Sequence, residues 1–263
     1  MRLVAGGAAL VSLAVLADSA LEHYRGSFRN PAMWLPLVTS SLSIAVSGVR
    51  AADAGSQGLP AVRGVGHGSA ATVGAIGLGF HAFNIDKRPG GVSFNNLFYG
   101  APVGAPAALI LAGALGVAAD RLAGPEQRVG PVTLGSGRAL AALTAVGLVG
   151  TTSEATLLHF RGAYHNPFMW APVVLPPVAA LSLARDAAGS TPTRLTSGLL
   201  IATAALGLIG TGFHAYGVSR NMGGWKNWRQ NVLAGPPLPA PPSFTGLALA
   251  ALGAVMLMKR SNG

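Results

Sequence analysis

The stretch HYRGSFRNPAMWLP at residues 23–36 recurs as HFRGAYHNPFMWAP at residues 159–172, with eight identities in fourteen positions. A second block, GFHAF at 79–83, recurs as GFHAY at 212–216, and the two blocks follow each other in the same order in both halves of the chain. Blocks repeated in a fixed order indicate an internal duplication. We therefore divide the chain into a first unit, residues 1–130, and a second unit, residues 131–263.

The composition of the chain is typical of a membrane protein. Of the 263 residues, 51% are apolar and 10% are charged, whereas soluble domains average about 25% charged residues. Lys and Arg outnumber Asp and Glu by 18 to 8, an excess that in membrane proteins lies in loops near lipid headgroups or a partner. Nucleic acid is therefore not expected as a partner. The chain has no cysteine, which excludes disulfides and thiolate metal sites.

Eight apolar stretches are long enough to cross about 30 Å of hydrocarbon as helices, since about 20 residues rising 1.5 Å each are sufficient. We place them at 3–22, 32–49, 68–84, 101–119, 138–158, 167–184, 195–216 and 243–258. The predicted fold is an all-α integral membrane protein with eight transmembrane helices. Because each unit has an even number of spans, the two four-helix repeats are parallel and related by a pseudo-two-fold axis along the membrane normal.

The four repeated histidines mark one face of this predicted protein. His23, His81, His159 and His214 each fall at the end of an odd-numbered span, so they meet at one membrane surface, which we call the motif face. Lys and Arg number ten on the opposite face and eight on the motif face, which weakly favours cytoplasmic termini. We expect an integral protein of a bacterial-type inner membrane with both termini in the cytoplasm.

The repeated histidines admit three interpretations. Imidazoles from facing helices ligate b-type haem in pairs, here His23 with His81 and His159 with His214, which makes the four side chains candidate iron ligands. They could instead bind the head group of a quinone or a metal ion. In the third interpretation they only stabilise the helix ends and bind no cofactor.

Charged residues accompany the histidines in both units. Arg25 and Arg161 each follow a repeated histidine by two positions and are candidates to neutralise haem propionates. Three acids lie in or at the ends of spans, where an ionised carboxylate needs a partner: Asp18, Glu22 and Glu154. Asp18 and Glu154 are repeat equivalents. Their predicted role is either proton handling or ligand binding near the motif face, or simple pairing with an arginine.

Local turn signals separate the first two spans of each unit. The Asn-Pro pairs at 30–31 and 166–167 place a good N-cap residue before a proline at the first helical position. They predict the start of the second and sixth spans. Gly26 and Gly162 predict a turn with unusual backbone angles just before each Asn-Pro pair.

The longer motif-face loops, 84–100 and 217–242, mix aromatic and cationic residues. This composition suits a surface that docks a peripheral or integral protein partner, and it suits lipid headgroups equally well. The candidate docking residues are Trp225, Lys226, Trp228 and Arg229.

Motifs of common enzyme classes do not occur in the chain. There is no phosphate-binding loop, no His-Glu-x-x-His and no Gly-x-Ser-x-Gly motif, so hydrolase, ATPase and protease functions lack support. The sequence predicts a non-catalytic or electron-transfer subunit of a membrane redox complex, binding haem b or quinone near the motif face and docking a partner there. Two alternatives are a small-solute transporter or channel between parallel repeats and a cofactor-free membrane anchor or assembly scaffold.

Overall fold

Helices form the architecture in a computed structural model, which describes residues 1–53, 60–100, 102–122, 133–189 and 191–261. They are α1 (Arg2–Arg25), α2 (Leu35–Ala52), α3 (Pro60–Asp86), α4 (Phe94–Tyr99), α5 (Gly104–Arg121), α6 (Gly137–Arg161), α7 (Ala171–Ala187), α8 (Arg194–Arg220), α9 (Trp228–Ala234) and α10 (Pro242–Ser261). Short 3-10 turns occupy Pro31–Trp34, Pro167–Trp170 and Gly224–Asn227. No strand occurs within these described ranges.

Seven of the described helical segments are long and apolar enough to cross a membrane, and α3 is not among them. Although α3 has 27 residues, its six glycines and His67 lower its mean hydropathy. An all-α fold with several helices suited to a lipid bilayer is therefore confirmed, whereas the eighth span stays a prediction. The predicted unit boundary between residues 130 and 131 lies outside the described residues.

A tight reversal joins α1 to α2 and α6 to α7. The side chain of Asn30 accepts a hydrogen bond from the amide of Ala32 at 2.9 Å, and that of Asn166 accepts one from Phe168 at 3.0 Å. Proline follows each asparagine at the first position of the 3-10 turn. Each Asn-Pro pair therefore begins the helical segment that leads into α2 or α7, as its sequence indicates.

The unusual backbone angles of this reversal fall on residues that the sequence does not mark. The predicted turn is present, but Gly26 and Gly162 have φ of −78° and −80°, so the placement of the unusual angles on these glycines is wrong. The left-handed residues are the two that follow, 27–28 and 163–164, with φ between 46° and 57°. Left-handed angles are costly for residues other than glycine. The second residue stacks on the tryptophan of the 3-10 turn, at 4.2 Å in both units, which offsets part of this cost.

The long helices pack in the same order in both units. In the first unit α1 and α3 each pack against α2 and α5. In the second unit α6 and α8 each pack against α7 and α10. Helix α1 therefore lies diagonally opposite α3, and α6 lies diagonally opposite α8, across the interior of a four-helix arrangement.

The two units meet mainly where α1 packs against α10. A Cβ atom added at Gly7 would overlap the carbonyl oxygen of Gly246, and one added at Gly246 would lie 2.9 Å from the carbonyl oxygen of Gly7. The positions equivalent to Gly7 and Gly246 in the other unit hold Leu143 and Leu111. The helices that carry these leucines, α6 and α5, contact each other less than α1 and α10 do. Two glycines therefore bring the backbones of α1 and α10 together.

Substitution of Gly7 by leucine tests this close approach. We expect Gly7→Leu to lower the free energy of unfolding by about 2–3 kcal/mol, because the new side chain meets backbone atoms that cannot move aside. Gly150→Leu is the matched control, since a Cβ there has no atom within 4 Å. Thermal unfolding in one detergent measures both variants, and equal melting temperatures would show that the α1–α10 contact does not limit stability.

Candidate functional site

All four repeated histidines make the same type of hydrogen bond, from Nδ1 to a backbone carbonyl oxygen. The bonds join His23 to Met33 at 2.6 Å, His159 to Met169 at 2.8 Å, His214 to Pro237 at 2.7 Å, and His81 to Pro102. A carbonyl oxygen only accepts, so Nδ1 carries the proton and the lone pair of the neutral ring lies on Nε2. Metal-binding histidines are oriented in this way.

The histidines fall into two pairs. His23 and His81 are close enough for their charges to interact, and so are His159 and His214. The members of each pair lie on the diagonally opposed helices of one unit, α1 with α3 and α6 with α8. All four side chains are half-buried. Helical bundles build cofactor sites from side chains on facing helices.

These pairs differ from a metal site made entirely of protein ligands. Among the residues that the structure describes, no three His, Cys, Asp or Glu side chains lie together as a possible metal site. Zinc sites use three or four protein ligands. Two imidazoles suit a metal whose remaining ligands belong to a cofactor, as in haem.

The three predicted acids gather where the units meet. The charges of Glu154 and Glu22 both interact with that of Asp18, so the repeat equivalents Asp18 and Glu154 lie near each other. The backbone amide of Gly104 donates a hydrogen bond to the carboxylate of Glu154, and Glu22 pairs with Arg25 at 2.5 Å. Two of the three carboxylates therefore have a defined partner, and proton handling stays a prediction.

The two arginines that follow the histidines are engaged on another side of their helices. Arg25 pairs with Glu22, and the guanidinium of Arg161 lies 4.8 Å from the ring centroid of Phe98. Residues two apart on an α-helix are separated by about 200° around its axis. Each arginine therefore points away from the imidazole of its own helix. Binding of haem propionates by these side chains stays a prediction.

The predicted docking residues lie on the 3-10 turn before α9 and on the start of α9. All are exposed: Trp225, Lys226, Trp228 and Arg229. Arg229 donates a hydrogen bond to the hydroxyl of Tyr24, and its guanidinium lies 5.7 Å from the centroid of that ring. Helix α9 of the second unit is thereby tied to α1 of the first, and docking of a partner stays a prediction.

Helix α4 makes the reciprocal contact. Phe94 and Phe98 pack edge-on against Phe160 at the end of α6, with centroid distances of 6.5 and 5.9 Å. Each short helix therefore rests on the first helix of the other unit. This end of the molecule is consequently built from both units together.

Two asparagines shape the loops of the motif face. The amide of Asn96 donates to the carbonyl oxygens of Pro89 and Gly91, and that of Asn231 to those of Met222 and Gly224, at 2.7–3.1 Å. Asn96 and Asn231 are repeat equivalents. In each unit, the side-chain amide of one asparagine therefore holds together the two sides of the loop that precedes the short helix.

The structure also contains a largely buried charged cluster that the sequence reasoning missed, at the opposite end of the first unit, in which the central Asp120 is 20% exposed. Arg63 Nε lies 3.0 Å from the carboxylate of Asp120, and Arg50 Nε and His67 Nε2 each lie 3.5 Å from it. The side chains of Arg50 and His67 are 3% and 1% exposed. A signal was present, because Arg63 and His67 are four residues apart on one helix face.

The second unit has no copy of this charged cluster. The equivalent positions are occupied by Asp186, Thr196, Leu200 and Val255. Because these residues cannot reproduce two arginines around one carboxylate, the cluster belongs to the first unit alone, unlike the histidine pairs.

Comparison of the chain with protein-family models, with curated proteins and with solved structures finds no match.

Proposed function

We propose that the protein is an integral membrane subunit of a redox complex in which each unit holds one b-type haem between its two repeated histidines. One observation carries the proposal: all four Nδ1 atoms are fixed by backbone carbonyl oxygens. This leaves the Nε2 lone pairs for iron. A bound haem supplies one-electron transfer, and the role of the chain is to hold it through the two imidazoles of each pair.

A quinone head group is the second ligand that this geometry suits. A neutral imidazole with its lone pair on Nε2 accepts a hydrogen bond from a quinol hydroxyl, and the acids at the junction lie on the same side of the protein to take up a proton. Haem is preferred because the histidines come in pairs. A hydrogen bond to one quinone oxygen needs only a single imidazole, so a quinone does not require the pairing.

We further propose that all eight long helices cross the membrane, as two parallel four-helix repeats about a pseudo-two-fold axis along the membrane normal. The recurrence of element order and packing order in the two units supports this arrangement. With all histidines at one face, both haems serve that face and do not carry electrons across about 30 Å of hydrocarbon. The small excess of Lys and Arg on the opposite face supports cytoplasmic termini in a bacterial-type inner membrane.

A peripheral partner on the motif face completes the proposed redox complex. Exposed tryptophans are frequent anchors of protein interfaces, and Trp225 and Trp228 are 50% and 62% exposed. A transporter is less well supported, because α1, α5, α6 and α10 fill the junction between the units with an apolar core. A cofactor-free anchor would use the same histidine hydrogen bonds for stability alone.

The absorbance spectrum of the purified protein tests the haem assignment. After expression with a haem precursor and purification in mild detergent, we expect a Soret band and about two haems per chain, one for each histidine pair. A colourless protein with quinone in its organic extract would move the assignment to quinone. A protein that takes up neither added haemin nor added quinone would contradict both and favour the anchor.

A further inference from the structure

We propose that a cleft between the units on the motif face binds the phosphate group of an anionic phospholipid. The cleft has a volume of about 460 Å³ and is lined by Phe98, Tyr99, Gly100, Phe160 and Arg161. The first three residues belong to the end of α4 in the first unit, and the last two end α6 in the second. The assignment does not depend on haem or quinone binding.

Arg161 gives the cleft a positive charge that no carboxylate neutralises directly. Its side chain is exposed, and its guanidinium lies over the ring of Phe98 at 4.8 Å. Within the described part of the chain, none of the ion pairs at 4.0 Å or less involves Arg161. Glu154 interacts with it through space, but the carboxylate of Glu154 is hydrogen-bonded to the amide of Gly104.

The combination of an arginine with no close carboxylate and an aromatic wall occurs at Arg161 but not at its repeat equivalent, Arg25. Arg25, the equivalent of Arg161, is paired with Glu22 at 2.5 Å, whereas Leu158 stands at the equivalent of Glu22. The aromatic wall differs as well: Phe94, Phe98 and Tyr99 correspond to Arg229, Leu233 and Ala234. Compared with the surroundings of Arg25, those of Arg161 therefore lack the acid and contain additional aromatic rings.

A lipid phosphate matches the chemistry of this cleft. A planar guanidinium donates two parallel hydrogen bonds to phosphate oxygens, and the neighbouring rings offer apolar surface to the glycerol and acyl chains. A second cation lies at the rim, because Arg88 donates a hydrogen bond to the carbonyl oxygen of Tyr99 at 3.1 Å. These two charges disfavour a headgroup that carries its own ammonium, so the anionic class is preferred.

The position of the cleft along the helices agrees with a headgroup. Arg161 is the last residue of α6, and the chain turns back at once to Trp170 at the start of the next apolar segment. Trp170 is 52% exposed, as expected for an indole at the level of the headgroups. A phosphate at this depth needs no opening of the helix bundle.

Native mass spectrometry of the protein in neutral detergent measures the binding directly. In titrations with dioctanoyl phosphatidylglycerol and dioctanoyl phosphatidylcholine, we expect the anionic lipid to bind more tightly. Arg161→Gln is expected to weaken it by about fivefold, the factor that corresponds to about 1 kcal/mol for one cation near a lipid surface. Arg220→Gln is the matched control, because Arg220 also ends a helix and lies 5.9 Å from an aromatic centroid, that of Tyr216, but does not line the cleft.

Three results would overturn the proposal: equal affinity for the two lipids, an equal loss in both variants, or binding of inorganic phosphate as tight as that of the lipid. The last result would assign the cleft to a free anion. We expect inorganic phosphate to bind much more weakly, because it lacks the apolar part that the rings contact. Should Arg161→Gln fail to fold, Arg161→Met removes the charge and keeps an unbranched side chain, and an affinity no weaker than that of the unchanged protein would also overturn the proposal.

Discussion

The double variant His81→Asn/His214→Asn is expected to contain no haem, and each single variant is expected to keep about one of the two haems. Asparagine carries an amide nitrogen at the same position along the side chain as Nδ1. It can therefore still donate to the carbonyl oxygen of Pro102 or Pro237, but it has no second nitrogen for iron. The ratio of Soret absorbance to protein concentration measures the loss.

His165→Asn is the matched control for this series. Its Nδ1 also bonds to a backbone carbonyl oxygen, that of Gly162 at 2.9 Å, but its exposed side chain belongs to neither histidine pair. We expect this variant to keep both haems. Since the hydrogen bonds persist, the free energy of unfolding of the apoprotein should change by less than about 1.5 kcal/mol in every variant. Unchanged haem content in the double variant would show that the pairs are not the ligands, and a large loss of apoprotein stability would favour the anchor.

Local features of this fold could be predicted from the sequence because their causes are local. The Asn-Pro pairs begin helical segments through a side-chain cap and a fixed proline angle, both of which depend on a few neighbouring residues. The repeated histidines likewise stood out because the duplication supplied its own comparison. In contrast, the left-handed angles fall at 27–28 and 163–164, where one residue of each pair also stacks on a tryptophan, so a glycine nearby was a misleading signal.

Contacts between the units could not be predicted, because they depend on how distant helices are positioned. The bond from Arg229 to Tyr24 and the packing of Arg161 on Phe98 each join a short helix to the other unit. Neither is marked by spacing along the chain. The sequence places Glu22 three residues before Arg25 and Leu158 at the equivalent position before Arg161, but only the fold shows that Arg161 lies in a cleft between the units.

The charged cluster at the opposite end of the first unit shows the same limit. Three different helices supply Arg50, Arg63 and Asp120. From the sequence alone, such residues are expected to be charged loop residues near the membrane surface. Their convergence on one carboxylate follows from the packing of α3 against α2 and α5. Gly116 permits it locally, because a Cβ at that position would overlap the ring of His67.

Asp120→Asn is expected to lower the free energy of unfolding by about 3 kcal/mol. The substitution keeps the shape of the side chain but removes the negative charge next to Arg50, Arg63 and His67, and breaking a buried ion pair costs about 3–5 kcal/mol. We expect the lower end of this range because Arg50 and Arg63 also have other interactions. Thermal unfolding in detergent measures the loss, with Asp86→Asn as control, since Asp86 is exposed at the end of α3.

Replacing all four side chains of the cluster together should lower the free energy of unfolding much less than replacing Asp120 alone. The second unit fills three equivalent positions with Thr196, Leu200 and Val255, so we expect the combined variant Arg50→Leu/Arg63→Thr/His67→Leu/Asp120→Val to recover most of the stability that Asp120→Asn loses. Replacing a whole buried ionic group by apolar residues is often neutral, because the cost of desolvating the charges disappears with them. Additive losses in the combined variant would instead mean that each charged side chain stabilises the helices through partners outside the cluster. Equal melting temperatures for Asp120→Asn and Asp86→Asn would show that the carboxylate does not hold the arginines in place.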